Sequence, residues 1–452
     1  MSLPRYPKYK DSGVEWLGHI PTHWTIDRFK HSVESCKNGI WGDDAKQNAD
    51  DIPCVRVADF DRRRLRVQLN APTIRNITER ERTGRILRRG DLLLEKSGGG
   101  ESQPVGCVVL YDDALPAVCS NFVARVKVPS SMNASFWRYV HAAAYTVRLN
   151  TRSIKQTSGI QNLDQQQYLD ELAAFPPLGE QTSIAAFLDR ETAKIDALVA
   201  EQERLIVLLK EKRQAVISHA VTKGLNRHVP MRNSGVEWLG EIPAHWKVAA
   251  LKHLTDRITD GAHVSPDTEN GVYPFVSTKD VGVETIDLEN CLRTSEQSYQ
   301  YMVKTGCRPQ PGDILFSKDG TIGRTVVVPE GLDFVVASSL IIIRPTLSCL
   351  TSRFLHQLCQ STAIATQVES LVRGAGLPRL SIQNLLRIVG CFPPVQEQIE
   401  IAAFLDDETA RLDALTAEAR RGIDLLHERR TALISAAVTG QVDVREAGGR
   451  AA

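Results

Sequence analysis

The stretch Ser12-Gly-Val-Glu-Trp-Leu-Gly18 returns letter for letter as Ser234-Gly-Val-Glu-Trp-Leu-Gly240, 222 positions later. Ile20-Pro-Thr-His-Trp24 returns at the same interval as Ile242-Pro-Ala-His-Trp246, and Gly90-Asp-Leu-Leu-Leu-Glu-Lys96 as Gly312-Asp-Ile-Leu-Phe-Ser-Lys318. Further along, the interval falls to 217. Phe175-Pro-Pro-Leu-Gly-Glu-Gln181 matches Phe392-Pro-Pro-Val-Gln-Glu-Gln398, and Ile184-Ala-Ala-Phe-Leu-Asp189 matches Ile401-Ala-Ala-Phe-Leu-Asp406. Ile217-Ser-His-Ala-Val-Thr222 then matches Ile434-Ser-Ala-Ala-Val-Thr439. The order never changes, so the chain is one module written twice. The ends of the halves agree strongly, whereas the interiors, roughly 30–155 and 252–372, agree only at scattered points such as Gly90 and Gly312. A framework is kept and its cargo has diverged. The fall in interval places a net five extra residues inside the first cargo.

After each Phe-Pro-Pro the period becomes helical. Proline marks the entry, and Glu180 falls in the first turn, where a negative charge suits the helix dipole. Leu188, Ile195, Gln202, Leu209 and Val216 recur every seven residues, with Glu191, Leu198, Leu205 and Lys212 interleaved. The second copy gives Leu405, Leu412, Ala419, Leu426 and Leu433, with Glu408, Leu415, Gly422 and Arg429 interleaved. These are heptad seams of about 40 residues, or roughly 60 Å of helix, the first stopped at Gly224. Neither helix buries its stripe alone, so antiparallel pairing with the other is expected, giving repeated halves about a pseudo-two-fold axis. The residues expected in the seam are Leu188, Ile195, Leu198, Leu205 and Leu209, facing Leu405, Leu412, Leu415, Leu426 and Leu433. A coiled coil that merely joins two chains is the competing reading.

The chain has 452 residues, 42% hydrophobic and 24% charged, which suits two or more globular domains. No apolar run reaches the roughly 18–20 residues of a membrane span, and residues 1–10 lack the apolar core of a secretory signal. A cytoplasmic setting is expected. The nine cysteines are scattered singly with no zinc or disulfide spacing, so no metal site is expected. Net charge is only +1, but residues 25–158 carry 22 Lys/Arg against 15 Asp/Glu, and residues 247–375 carry 12 against 14. The first cargo resembles a phosphate-binding surface more than the second does.

The cargo reads as mixed strand and loop, with strands at 53–58, 91–94, 105–111 and 121–128, and at 274–278, 313–316, 325–328 and 334–344. Helical stretches follow at 135–148 and 351–368. Lys96-Ser-Gly-Gly-Gly100 and Lys318-Asp-Gly320 follow the Gly-Asp strands; such loops suit approach to phosphate or a base edge, and equally a turn that needs positive φ. The candidates for DNA contact are Arg62, Arg63, Arg64, Lys96, Lys155, Lys279, Lys318, Arg324 and Arg373. His23 and His245 stand beside Trp24 and Trp246 without a nucleophile or metal partner, which points to a structural corner. No catalytic residue is assigned. There is no phosphate loop, GxSxG or HExxH, and Ser317 stands where a nuclease carboxylate at Glu95 would have to recur. Phe175-Pro-Pro-Leu does not suit a base-holding methyltransferase motif.

Together, Gly-Val-Glu-Trp-Leu-Gly-x-Ile-Pro-x-His-Trp, Gly-Asp-Ile-Leu-Phe-Ser-Lys-Asp-Gly and Pro-Pro-x-x-Glu-Gln-x-x-Ile-Ala-x-Phe-Leu-Asp resemble the specificity subunit of type I restriction–modification enzymes. The resemblance covers essentially the whole chain, twice. It implies an α+β fold: two globular α/β target-recognition domains (1–160 and 226–377) separated by two conserved helical regions (161–225 and 378–445), with a flexible tail at 446–452. It implies that each domain reads half of a split double-stranded DNA site, with helix length setting the spacer. The helices would dock modification subunits, two of them, and a restriction subunit would join. S-adenosylmethionine, ATP and magnesium would sit on those partners, none on this chain. A stand-alone DNA methyltransferase and a coiled-coil scaffold that never touches DNA are the alternatives.

Overall fold

The structure is a computed structural model that describes residues 3–157, 159–263, 267–268, 271–282, 284–372 and 378–445. The expected tail at 446–452 and the candidate Arg373 lie outside the described residues. The chain forms two compact units. The first comprises residues 1–202 and 421–452, the second residues 203–420. Two long helices pass through both: a central helix, Leu178–Lys223, of 46 residues and a distal helix, Val395–Val438, of 44 residues. At 1.5 Å per residue these are about 65–70 Å long. Gly224 and Gly440, both at positive φ, follow their ends, a conformation that favours glycine.

In the first unit the start of the central helix packs on the end of the distal helix. Ile184, Ala185, Phe187 and Leu188 share a core with Ile434, Ala437 and Val438, and Arg430 Nη1 donates to Asp196 Oδ1 at 2.8 Å. In the second unit the end of the central helix meets the start of the distal one. Ile217, Ala220 and Val221 share a core with Ile401 and Leu405, and Arg213 pairs with Asp413 at 3.3 Å. The helices are therefore antiparallel, as their stripes require.

The seam itself corrects the sequence reading. Along the first track Leu188, Ile195, Leu209, Leu405 and Leu412 are buried, and Leu426 and Leu433 are half-buried. The interleaved track is shifted by one residue. Leu198, Leu205 and Leu415 are 50%, 42% and 42% exposed. Their successors, Val199, Ile206 and Thr416, turn inward, in line with buried Thr192, Ala220, Thr409, Arg430 and Ala437. Heptad spacing accepts either neighbour of the first track, so the partner helix decides which one faces in. The threonines meet that burial by donating back along their own helix, Thr192 to the Leu188 carbonyl and Thr409 to the Leu405 carbonyl, each at 2.7 Å.

The first globular part carries a six-stranded sheet ordered 35–38, 123–127, 91–95, 108–111, 66–67, 60–61, and a four-stranded sheet ordered 118–119, 51–55, 73–76, 43–44. The second carries a four-stranded sheet ordered 255–260, 340–345, 314–317, 325–327, and a three-stranded sheet ordered 292–294, 273–276, 335–336. Two expected elements are broken. The run 334–344 is two strands joined at Ala337–Ser339, and 351–368 is two helices, the second restarted by Ser361 capping the Ile364 N–H. The five-residue surplus falls between the Gly-Asp strand and its partner. Glu95 N–H donates to the Cys107 carbonyl where Ser317 N–H donates to the Arg324 carbonyl, so the loop is eleven residues long in the first copy and six in the second.

Candidate nucleic-acid interface

The repeated motifs build the frame. Trp24 and Trp246 are fully buried. Trp24 Nε1–H donates to Glu180 at 2.8 Å and Trp246 Nε1–H to Glu397 at 3.1 Å; His23 and His245 lie 2.6 and 2.8 Å from the same carboxylates. The Ile-Pro-x-His-Trp motif thus locks onto the glutamate of Pro-Pro-x-x-Glu-Gln. The adjoining glutamine fixes the next element: Gln181 accepts from Asn133 N–H at 2.9 Å and Gln398 from Thr351 N–H at 2.8 Å. Each of those residues caps the helix that follows it. The two histidines are structural corners. The repeated aspartates act likewise: Asp189 receives Arg138 and the Tyr139 hydroxyl, and Asp406 receives Arg353 at 2.8 Å.

On this frame the two cargoes share one pattern of backbone hydrogen bonds. Gly39 N–H reaches the Val123 carbonyl and Ile40 N–H that of Cys119; Gly261 and Ala262 do the same to Leu340 and Val336. Ser120 N–H reaches Val55 and Ala337 N–H reaches Val276; Lys96 N–H reaches Phe122 and Lys318 N–H reaches Ser339. Glycine is required at the crossing: a Cβ on Gly39 would collide with the Cys119 and Ser120 carbonyl oxygens, and one on Gly261 with those of Val336 and Ala337.

The cations read from sequence are distributed unevenly over this scaffold. Arg62 turns inward, its Nη2 donating at 2.7 Å to Glu95, which is 1% exposed. Burial pushes the Glu95 carboxyl above the usual carboxylate range, against the opposing pull of Arg62. Ser317, at the equivalent position, instead donates to the Thr321 carbonyl at 2.5 Å. Arg63 is exposed, and Arg64 is exposed beside Asp61 and Asp196 at 3.9 and 4.0 Å. Lys318 is buried and donates to Asp260 at 2.7 Å; His263 stands 2.6 Å from the same carboxylate. Partial burial works the other way, yet those two partners hold Asp260 below the usual carboxylate range. Lys96 has Asn38 where Lys318 has Asp260, and burial lowers its ammonium pKa. Lys155 is exposed on the hairpin 154–163 beside the Gly-rich loop and pairs with Asp164 at 2.8 Å. Lys279 is exposed on the turn 278–280, and Arg324 is exposed at the end of the short loop. The structure therefore groups Lys96 with Lys155 near one loop, and sets Arg62–Arg64 on a separate turn.

Side chains that the sequence did not single out converge at the same loop. A cleft of about 470 Å³ is lined by Trp41, Arg56, Ser97, Gly98, Gly99, Asn121 and Phe122, among others. Trp41 and Phe122 are 37% and 43% exposed. Arg75 stacks on the Trp41 ring at 4.4 Å and fixes it. Only the paired glycines, Gly39 and Gly261, hinted that the residues after them share a special place. Among the described residues, no group of three or more His, Cys, Asp and Glu could hold a metal ion, and no helix is long and apolar enough to cross a membrane.

A family model described as the type I restriction modification DNA specificity domain matches residues 243–423. The type I restriction enzyme EcoBI specificity subunit of Escherichia coli is 24% identical over 339 residues, 72% of this chain and 70% of that protein. The MjaVIII specificity subunit of Methanocaldococcus jannaschii is 24% identical over 314 residues, 67% of this chain and 70% of that protein. Two solved structures share the fold. A chain from work on complex assembly and conformational transition of the type I R-M system superposes with a TM-score of 0.71 at 16% identity, covering 93% of this chain and 98% of its own. The HsdS subunit from Thermoanaerobacter tengcongensis gives a TM-score of 0.54 at 17% identity, covering 94% and 98%.

Proposed function

We propose that the chain is the non-catalytic DNA-recognition subunit of a type I restriction–modification complex, in keeping with the specificity-domain family model that matches residues 243–423 and with its similarity to specificity subunits. Each globular part reads one half of a bipartite, asymmetric site in double-stranded DNA. One observation carries this reading: the same hydrogen-bonded frame occurs twice and presents different side chains at the same places. A split site with two unlike halves needs that arrangement, whereas a catalytic centre or a plain scaffold does not.

The helices serve as spacer and as the docking surface for two adenine methyltransferase subunits. Leu198, Leu205 and Leu208, 42–51% exposed along the central helix, support docking, because nothing among the described residues covers them. S-adenosylmethionine, ATP and magnesium are taken up by the modification and restriction partners, in the cytoplasm of a prokaryote. Near-neutral net charge fits a subunit that shares the grip on phosphates with those partners. The test is genome-wide mapping of methylated adenine in cells with and without this gene. Loss of one bipartite motif is the expected result; no change in any motif would refute the proposal.

A further inference from the structure

We infer that the cleft between Trp41, Arg56, the Gly98–Gly99 segment and Asn121–Phe122 is where the first unit reads base edges of duplex DNA, Arg56 and Asn121 being its specificity-determining residues. This rests on the reading above and deepens it. Both side chains keep hydrogen-bonding capacity that the described residues do not use. Among the described residues Arg56 makes one ion pair, with the Asp59 carboxylate at 3.4 Å, and its Nε has no acceptor; Glu95, already paired with Arg62, lines the same cleft. Asn121 is exposed, and among the described residues its amide meets no partner. Guanidinium and carboxamide are the two groups whose geometry matches purine edges in the major groove, arginine to guanine O6 and N7, asparagine to adenine N6 and N7. The surroundings hold them ready. Trp41 is braced by Arg75, and a Cβ built on Gly98, on the short strand 97–98, meets nothing within 4 Å, so that strand leaves open space beside it.

The second copy supplies independent support. The hydrogen bonds that pair Gly39 with Gly261, Ser120 with Ala337 and Lys96 with Lys318 put the cleft residues in register. Trp41 corresponds to His263, Arg56 to Ser277, Ser97 to Asp319, Asn121 to Ser338 and Phe122 to Ser339. All five differ, while the lysine and glycine between them are kept. The exchange is also chemical: the arginine, asparagine and phenylalanine of the first cleft all become serines, while Trp41 gives way to a histidine and Ser97 to an aspartate. Packing does not account for it, since Phe122 is 43% exposed.

The experiment expresses the full chain with its own modification subunits and maps methylated motifs for Asn121→Ala, Arg56→Ala and the graft Asn121→Ser/Phe122→Ser, which installs residues the same backbone already carries in the second copy. Each single variant should relax the first half-site at one base pair, with discrimination there falling about 5- to 150-fold, while the second half-site and the spacer stay as they were. The intact second half-site shows that the complex is assembled and folded. A motif unchanged in all three variants would overturn the inference, as would equal weakening of both half-sites. An unchanged motif with lost capture of the modification subunits would reassign the cleft to protein docking. Each of those results presupposes a motif that vanishes when the gene is deleted; if none vanishes, it is the underlying reading that fails.

Discussion

Replacing Arg62 by methionine separates two roles that one arginine can have. Its guanidinium meets Glu95 at 2.7 Å, and the side chains are 24% and 1% exposed. Removing the cation leaves a carboxylate buried in the sheet with, among the described residues, the Cys107 N–H at 3.4 Å as its one remaining hydrogen-bond donor. Breaking a buried pair on one side costs about 3–5 kcal/mol, and the partial exposure of Arg62 places this case near 3. Residues 1–202 and 421–452 form a body of well over 200 residues, for which each kcal/mol moves the midpoint by about 2–4 °C. The first unit should therefore melt about 6–12 °C lower in Arg62→Met. Adding Glu95→Gln should restore most of the loss, giving a coupling of about 2 kcal/mol in a double-mutant cycle by urea denaturation. The pH dependence follows from Glu95, whose folded pKa is already raised by burial. A raised carboxyl pKa favours folding only below the unfolded value, near 4.3, and the benefit is lost as pH rises through the folded value. The Arg62→Met deficit should thus be full at neutral pH and shrink towards pH 4. An unchanged melt, with weaker DNA binding and a shallower salt dependence, would refute this account and return Arg62 to the phosphate-contacting group.

Other perturbations test other parts of the molecule. His141 is fully buried, stacked on Phe29 at 4.7 Å and 2.8 Å from the Tyr168 hydroxyl, and burial depresses its pKa to about 3. A lowered histidine pKa favours folding above the unfolded value of about 6.5, so stability should fall by about 1.4 kcal/mol per pH unit between there and pH 3; urea titrations of His141→Gln should lose that slope. Val199→Asp should destabilise the first unit by several kcal/mol, whereas Leu198→Asp should stay within about 0.5 kcal/mol in the same denaturation assay and instead weaken capture of the modification subunits; equal effects on stability would undo the shifted seam. Removing one heptad from each long helix, about 10 Å of rise, should shorten the spacer of the methylated motif by about 3 base pairs, at 3.4 Å per pair, with both half-sites kept, as read by methylome mapping.

Much of this molecule is decided by local and repeated sequence. The duplication, the two long helices and their glycine stops follow from periodicity, proline punctuation and residues that tolerate positive φ, all of which act within a few positions. The Glu-Gln pair after each Pro-Pro was legible as a motif, although its partners, Trp24 and Trp246, lie about 150 residues away. What only the tertiary structure decided is which groups are left over once burial is settled. Val199 and not Leu198 faces inward because the opposing helix selects between two tracks that both satisfy a heptad. Arg62 and Lys318 looked like free cations, yet they neutralise Glu95 and Asp260, because a carboxylate withdrawn from water must be paired. Conversely, Trp41, Arg56 and Asn121 carry no sequence signature; they line one cleft next to the point where Gly39 passes the Cys119 and Ser120 carbonyls, too close for any side chain. Non-local approach and desolvation are properties of the folded chain, and they determine which residues remain free to touch anything else.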